Sequence, residues 1–230
     1  MGLQLYDLAG ADSACRFSPY CWRIRMALAH KRLPVETIPW RFTDKEAIAA
    51  SGQGRVPVLV HDGKWLAESW DIASYLEDTY PGHPSLFGGP AGRGTSRYFS
   101  VLGDVLVTSI FPFIARDIID RLEGENQAYY RRSREERLGM TLEAFVAGRD
   151  ARLPALRDSL APLRLTLKRQ PFLGGEQPLY ADYAVFGTFQ WARCVSPFML
   201  LAEDDPLRAW RDRLLDAYDG LARQVPAFDS

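Results

Sequence analysis

The sequence predicts an α/β domain followed by an all-helical domain, and three observations support this prediction. Within the first 80 residues, short runs that alternate apolar and polar side chains are interleaved with segments of helical spacing. After residue 94 the strand-like runs end, and long segments of helical spacing follow one another. A stretch that contains several prolines and glycines separates the two halves. We therefore predict a first domain at 1–80, a linker at 81–94 and a helical domain at 95–230.

The first domain is predicted to open with a strand, a helix and a second strand. Leu3–Leu8 begins by alternating apolar and polar residues, and a loop of Gly, Ala, Asp and Ser follows it. Ser18 is a good N-cap and Pro19 suits the first helical position, so a helix starts there. Pro34 ends that helix. The segment from Val35 to Trp40 is typical of a strand.

A hairpin and a helix complete the first domain. Asp62-Gly63 separates two strand-like runs, 57–61 and 64–67, and this dipeptide is a strong hairpin signal because both central positions need positive φ. From Ser69 the apolar residues keep helical spacing as far as Pro81. The order strand, helix, strand, hairpin, helix predicts a thioredoxin-like fold with a mixed sheet and helices on both faces.

The second half is predicted to contain helices only. Gly174-Gly175 and Pro197 interrupt its helical pattern, and we see no internal repeat. The predicted helices cover roughly 95–122, 126–149, 152–169, 181–198 and 205–224.

Composition and charge argue against several classes of protein. The chain has 28 basic and 29 acidic residues, and this balance disfavours nucleic acid as the main partner. The N-terminus lacks the basic region of a secretory signal. The longest uncharged apolar stretch, 105–115, is half of what spans a bilayer, so no membrane association is predicted. The three cysteines fit a reducing, cytoplasmic compartment, and the three histidines have no metal-ligand spacing, so no metal site is predicted.

The tetrapeptide Ser18-Pro19-Tyr20-Cys21 is the first candidate site. In a thioredoxin-like domain it lies at a helix N-terminus, where free backbone N–H groups and the helix dipole favour an anion. Redox proteins carry Cys-Pro-x-Cys here, but Ser18 cannot form a disulfide. Its hydroxyl could donate a hydrogen bond to the thiolate of a ligand. The alternative is that Ser18 is only an N-cap.

Two further segments could bind a peptide-like ligand. A cis peptide bond at Val56-Pro57 would leave the backbone of Val56 free to pair with an extended ligand, although this proline could also be an ordinary edge residue. Ser69 starts a helix that could hold a carboxylate, and Glu68 beside it could hold an ammonium group. The alternative is a simple cap with an acid on a solvated face.

Together these motifs resemble the cytosolic glutathione transferases, over the whole chain. Ser18, Val56-Pro57 and Glu68-Ser69 match that family's pattern in order and spacing. The segments 18–25, 55–58 and 69–76 are most similar to the bacterial β-aryl-etherase-type and fungal ether-class enzymes. One departure is Leu179, where the buried helix-capping motif normally has Ser, Thr or Asn, so the reciprocal capping box is lost.

The resemblance implies a glutathione transferase architecture and a reaction in which bound glutathione attacks an apolar or aromatic electrophile, with aryl ethers as one candidate class. It also implies a homodimer and a catalytic role for Ser18. The alternative is a binding protein of the same fold that holds glutathione or apolar ligands without turnover. The candidates for the glycyl carboxylate of glutathione are Arg41, Lys45, Gln53 and Arg55, of which Arg55 is best placed. The residues implied to bind glutathione are Val56, Pro57, Glu68, Ser69, Arg55, Gln53 and Tyr20, and those implied to line the electrophile pocket are Phe111, Phe113, Arg116 and Trp191.

Overall fold

The computed structural model describes residues 2–228, and its first half contains a four-stranded sheet. The strand order is β2-β1-β3-β4. β1 pairs in parallel with β2 and antiparallel with β3, and β3 pairs antiparallel with β4. Asp62 and Gly63 connect β3 to β4 with φ of 49° and 79°, so the predicted Asp-Gly turn is confirmed. The strands are β1 (Leu3–Leu8), β2 (Val35–Trp40), β3 (Val58–His61) and β4 (Lys64–Ala67).

Two α-helices pack with this sheet and confirm the thioredoxin-like order. Helix α1 spans Pro19–His30, and Ser18 caps it by accepting a hydrogen bond from the backbone N–H of Cys21. Helix α2 spans Ser69–Thr79. A short 3₁₀ helix at Lys45–Ser51 was not predicted, because its few residues carry no clear helical periodicity.

The second half is helical, as predicted, but its helices are shorter and more numerous than the pattern suggested. The first one begins at Pro90, inside the predicted linker, and a separate 3₁₀ turn (Asp117–Arg121) follows it. The predicted helix 126–149 breaks at Gly139, which has a positive φ of 68°. The helices are α3 (Pro90–Ile114), α4 (Gly124–Leu138), α5 (Leu142–Val146), α6 (Arg149–Ser159), α7 (Ala161–Leu167), α8 (Tyr180–Val195) and α9 (Pro206–Gly220).

Helix α8 is the centre of the core that joins the two halves. All sixteen of its residues are buried. It passes close to α3 and to α1, because glycine stands at both crossings. A Cβ atom at Gly103 of α3 would lie 2.5 Å from the carbonyl oxygen of Ala184, and one at Gly187 would lie 2.2 Å from that of Pro19. This close packing fixes the start of α1 against the middle of α3.

The start of α8 is held by one buried carboxylate rather than by a reciprocal capping box. Asp182 accepts backbone N–H bonds from Leu179 at 3.0 Å, Gly174 at 2.9 Å and Leu173 at 2.7 Å. It also accepts the indole N–H of Trp210 at 2.8 Å. Burial raises the pKa of Asp182, and these four donors oppose that effect. The missing side-chain acceptor at Leu179 is therefore offset by a denser set of bonds to Asp182.

Helix α3 combines a buried face with an exposed apolar face. By length and composition alone it could span a membrane, which differs from the prediction made from residues 105–115. One such helix is weak evidence, because core helices of soluble proteins have similar composition, and a third of its apolar window is buried within the chain. Tyr98, Val101 and Val105 are among its exposed residues. Their spacing places them on one side of the helix.

Candidate functional site

A cavity of about 210 Å³ opens where the start of α1, the turn before β3, the start of α2 and the middle of α3 meet. Three of these segments belong to the first half of the chain and the fourth belongs to the second. Most of the side chains that line it are polar or charged. The lining residues are Tyr20, Gln53, Arg55, Val56, Pro57, Glu68, Ser69 and Asp104. All seven residues predicted to bind glutathione are therefore found around one cavity.

The turn before β3 supplies one wall. The Val56-Pro57 peptide bond is cis, which is one of the two alternatives that the sequence left open. Pro57 is buried, whereas Val56 is partly exposed at the cavity. β3 begins at the next residue, so the sheet holds this turn in place.

Glu68 and Ser69 form the opposite wall at the start of α2. Glu68 has a φ of 66°, in the left-handed region that few residues other than glycine adopt. Such a conformation costs about 1–3 kcal/mol and is concentrated at functional sites. No side chain caps this helix. The backbone N–H groups of its first turn and the Ser69 hydroxyl are thus positioned for an anion, and the Glu68 carboxylate for a cation.

Two of the four candidates for a ligand carboxylate line the cavity, and two do not. Gln53 and Arg55 lie at its edge, and Arg55 is exposed. Arg41 instead donates to the carbonyl oxygens of Gly10 and Ala11, at 3.4 and 3.3 Å. Lys45 donates to the carbonyl oxygen of Gly54 at 2.6 Å. The geometry therefore narrows the candidates to Arg55 and Gln53.

Ser18, at the start of α1, is not among the residues that line this cavity. It is 3% exposed, and its Oγ accepts the backbone N–H of Cys21 at 3.2 Å. Ser18 is therefore the N-cap of α1, as one of the two interpretations of the sequence held. A hydroxyl that accepts one bond keeps its own proton for a second partner, so capping and donation to a ligand are compatible.

The three cysteines are buried and none is disulfide-bonded. Burial raises the pKa of Cys15 and of Cys194, and raises that of Cys21 well above its ordinary value. A thiol in such surroundings is a poor nucleophile, because the thiolate is the reactive form. Among residues 2–228 no group of His, Cys, Asp and Glu could hold a metal ion.

The four residues predicted to line the electrophile pocket lie away from the cavity. Phe113 and Trp191 are 4% and 6% exposed, within the core. Phe111 stacks on Trp191, with ring centroids 6.2 Å apart, and also contacts Phe145. Arg116 forms an ion pair with Asp120 at 2.7 Å. Their assignment to an electrophile pocket remains a prediction.

Asp104 is a lining residue that the sequence interpretation missed. It projects from α3 into the cavity, is half-exposed, and forms an ion pair with the buried Arg23 at 2.9 Å. The Arg23 guanidinium also lies 4.7 Å from the centre of the Tyr20 ring. A single acid in the apolar run of α3 was the available signal. Nothing in the local sequence indicated that this turn of α3 lines the same cavity as Glu68.

Comparison with known proteins agrees with this architecture. Residues 13–84 match the family model of the glutathione S-transferase N-terminal domain, and residues 96–212 match that of the C-terminal domain. A probable glutathione S-transferase, GSTU6, of Oryza sativa subsp. japonica is 25% identical over 209 residues, which cover 85% of this chain and 80% of that protein. Glutathione S-transferase U6 of Arabidopsis thaliana is 31% identical over 137 residues, or 58% of each chain.

Solved structures share the fold at low sequence identity. The glutathione transferase GSTFuA3 of Phanerochaete chrysosporium superposes with a TM-score of 0.83 at 24% identity, over 95% of this chain and 97% of that one. The beta-etherase LigF of Sphingobium sp. strain SYK-6 superposes with a TM-score of 0.65 at 22% identity, over 97% and 99%. These likenesses show the fold, and the two family models cover most of the sequence. The chain belongs to the glutathione S-transferase family.

Proposed function

We propose that this protein binds glutathione in the cavity between Val56 and Glu68 and transfers it to an apolar electrophile. The observation that carries the proposal is the arrangement of Glu68 and Ser69 opposite the Val56 turn, with Arg55 at the edge. An acid beside a helix N-terminus is a receptor for an amino-acid head group. A solved family member from Ceriporiopsis subvermispora, in complex with glutathione, has the same fold, with a TM-score of 0.81 at 22% identity over the whole of both chains.

In this arrangement each end of glutathione has a partner of opposite charge. Glu68 accepts hydrogen bonds from the γ-glutamyl ammonium group, and Ser69 with the first N–H groups of α2 holds the adjacent carboxylate. The extended backbone of the peptide runs along Val56 and Pro57. Arg55, assisted by Gln53, binds the glycyl carboxylate. The sulfur then lies toward Ser18.

The thiol proton of glutathione leaves to solvent, and the Ser18 hydroxyl donates a hydrogen bond to the sulfur, which favours the thiolate over the thiol. Capping uses a lone pair of the Ser18 Oγ to accept the N–H of Cys21, so it does not compete with this donated bond. The thiolate attacks an electrophilic carbon, forms a carbon–sulfur bond and displaces the leaving group with its electron pair. Tyr20, at the cavity edge, contacts the bound peptide.

The electrophile is aromatic or apolar. The residues predicted to contact it, all on the helical side, are Phe111, Phe113, Arg116 and Trp191, once a substrate opens the packing around them. Aryl ethers are one class to test, because a solved protein of this fold is a beta-etherase.

We further propose that the protein is a cytoplasmic homodimer. Three buried, unbonded cysteines fit a reducing compartment. Tyr98, Val101 and Val105 leave an exposed apolar stripe on α3, which suits a second copy of the chain. Sedimentation analysis should give a dimer, and Val101→Glu should give a folded monomer. A monomeric unmodified protein would contradict this part of the proposal.

A turnover assay distinguishes a catalytic function from binding without catalysis. We expect glutathione-dependent conversion of an aryl halide and of a β-aryl ether model compound. Ser18→Ala should lower turnover most at mildly acidic pH and less at high pH, where the free thiol ionises without help. Cys15→Ser is the matched control and should retain activity. Loss of activity in Cys15→Ser with full activity in Ser18→Ala would contradict the assignment of Ser18.

A second candidate function is non-catalytic binding of glutathione. The burial of Ser18 and the packed state of Phe113 and Trp191 favour it, since the cavity holds a peptide-sized site without a formed electrophile pocket. Tight binding of glutathione with no turnover of either test substrate would identify this function.

A further inference from the structure

A buried group of three charges lies under the start of α1, and we name Asp7, Arg16 and Arg25 the Asp7 cluster. Asp7 is 1% exposed, and its Oδ2 lies 3.5 Å from Nη1 of each arginine. The side chains of Arg16 and Arg25 are only 10% and 12% exposed. Two positive charges thus share one carboxylate.

The excess positive charge has no second acid within ion-pair distance among residues 2–228. Asp7 is the sole acid within ion-pair distance of either arginine in that part of the chain. Nη1 of Arg25 is buried without a hydrogen-bond acceptor, and its guanidinium lies 4.3 Å from the Trp22 ring centre. Nε of Arg16 donates to the carbonyl oxygen of Ser13 at 2.6 Å. A buried cation in this state favours an anion nearby.

The Asp7 cluster adjoins Ser18 through one side chain. The Cys21 thiol interacts with the Asp7 carboxylate on one side and with the Ser18 side chain on the other. Burial raises the pKa of Cys21 well above its ordinary value, so this thiol stays neutral and does not supply the missing charge. Arg16 precedes Ser18 by two residues, and the Trp22 indole N–H holds its carbonyl oxygen at 2.9 Å.

The other charged or titratable groups around this region leave that excess in place. Arg23, on the same helix, is paired with Asp104 of α3. From α8, Cys194 faces the region, and burial raises its pKa, so it adds no negative charge. Arg121 acts on Cys194 and on Cys15, and Asp12 opposes it at Cys15, so these two charges leave the excess of the Asp7 cluster unchanged.

We propose that Arg16 and Arg25, with Asp7 between them, hold the sulfur of bound glutathione in the thiolate form at Ser18. This inference rests on the proposed function. The thiol proton leaves to solvent, and the excess charge of the cluster stabilises the sulfur anion that remains. The three residues act by electrostatic potential through the Ser18 site, so they are positioning residues and do not contact the sulfur.

The test is a spectroscopic titration of the thiolate of bound glutathione by its ultraviolet absorbance. Arg25→Gln should raise the pKa of that thiol by on the order of one unit, as expected for nearby unit charges that interact at an effective dielectric constant of about 20 without direct contact. Arg25→Lys keeps the charge and should produce less than half of that shift. Asp7→Asn should lower the pKa. Arg93→Gln removes a charge from an exposed pair with Asp78 and should change nothing.

Circular dichroism and calorimetric binding of glutathione accompany each titration. If Arg25→Gln does not fold, Arg16→Gln and Asp7→Asn still provide shifts of opposite sign. A merely structural role predicts equal effects of Arg25→Lys and Arg25→Gln, or shifts of one sign for all variants, and either result would overturn the inference. Failure of the unmodified protein to bind glutathione would instead refute the proposed function. Binding with an unshifted thiol in Arg25→Gln would refute this inference alone.

Discussion

Replacing Glu68 by Gln tests the orientation of glutathione most directly. The substitution keeps the size and shape of the side chain and removes its charge. A hydrogen bond between charged groups contributes about 1.5–3 kcal/mol, so the dissociation constant should rise roughly 10- to 150-fold. Glu68 is exposed and begins α2 without any side-chain cap. We therefore expect the melting temperature to stay within a degree or so of the unmodified protein.

The second acid of the cavity does not replace Glu68. The Asp104 carboxylate is 2.9 Å from the guanidinium of Arg23, which is 1% exposed, so most of its charge is already neutralised. Asp104→Asn should lower the stability of the protein, whereas Glu68→Gln should lower its affinity for glutathione. It leaves a buried guanidinium with a weaker partner, so the free energy of unfolding should fall by about 1–3 kcal/mol.

Isothermal titration calorimetry at low and moderate ionic strength provides the measurement. Glu46→Gln removes an equally exposed acid from the 3₁₀ helix, away from the lining of the cavity, and should leave affinity unchanged. An unchanged dissociation constant in Glu68→Gln would refute the assignment of the ammonium group to this wall. Equal weakening in Glu46→Gln would show that the effect is long-range electrostatics rather than a direct bond.

Two further predictions concern stability. Asp182→Ala leaves two buried and two part-buried N–H donors without an acceptor, so we expect a loss of more than about 3 kcal/mol in denaturant unfolding, and a loss below about 1 kcal/mol would contradict the capping role. His30 bonds to the hydroxyls of Tyr183 and Tyr218, and burial lowers its pKa, with Lys31 adding to the effect. Since the folded state favours neutral His30, the free energy of unfolding should be constant above about pH 6.5 and should fall as the pH drops through the lowered value. His30→Gln should flatten that dependence in urea titrations, and an unchanged slope would assign it to another group.

Local chemistry explains why much of the first half could be predicted. Asp62-Gly63 fixes a turn by its own backbone preferences, and Ser18-Pro19 fixes the start of α1 in the same way. Glu68 and Val56, which line the cavity, could be singled out because each lies at the start of an element with a clear sequence signal. These features depend on neighbours within a few residues, which one sequence displays.

The helix boundaries of the second half were harder to predict, because they depend on tertiary packing. Helices α6 and α7 meet at Leu160, and Pro162 stands in the first turn of α7, but the spacing of the apolar residues continues across this break and indicated a single helix. Pro112 lies inside α3 and Pro154 inside α6, although proline usually ends a helix. Packing of the buried faces outweighs these local preferences.

Which residues line the cavity depends on two helix crossings outside it, at Gly103 and Gly187. Gly103 and Gly187 let α8 approach α3 and α1 to backbone distance, so the position of α3 relative to α1 follows from two missing side chains. That position places Asp104, the residue after Gly103, against Arg23 and beside Tyr20. The charges around the cavity therefore include the Asp104 carboxylate, which comes from the helical half of the chain. A sequence interpretation that treats the halves separately finds the walls at Val56 and Glu68 and misses the wall that joins them.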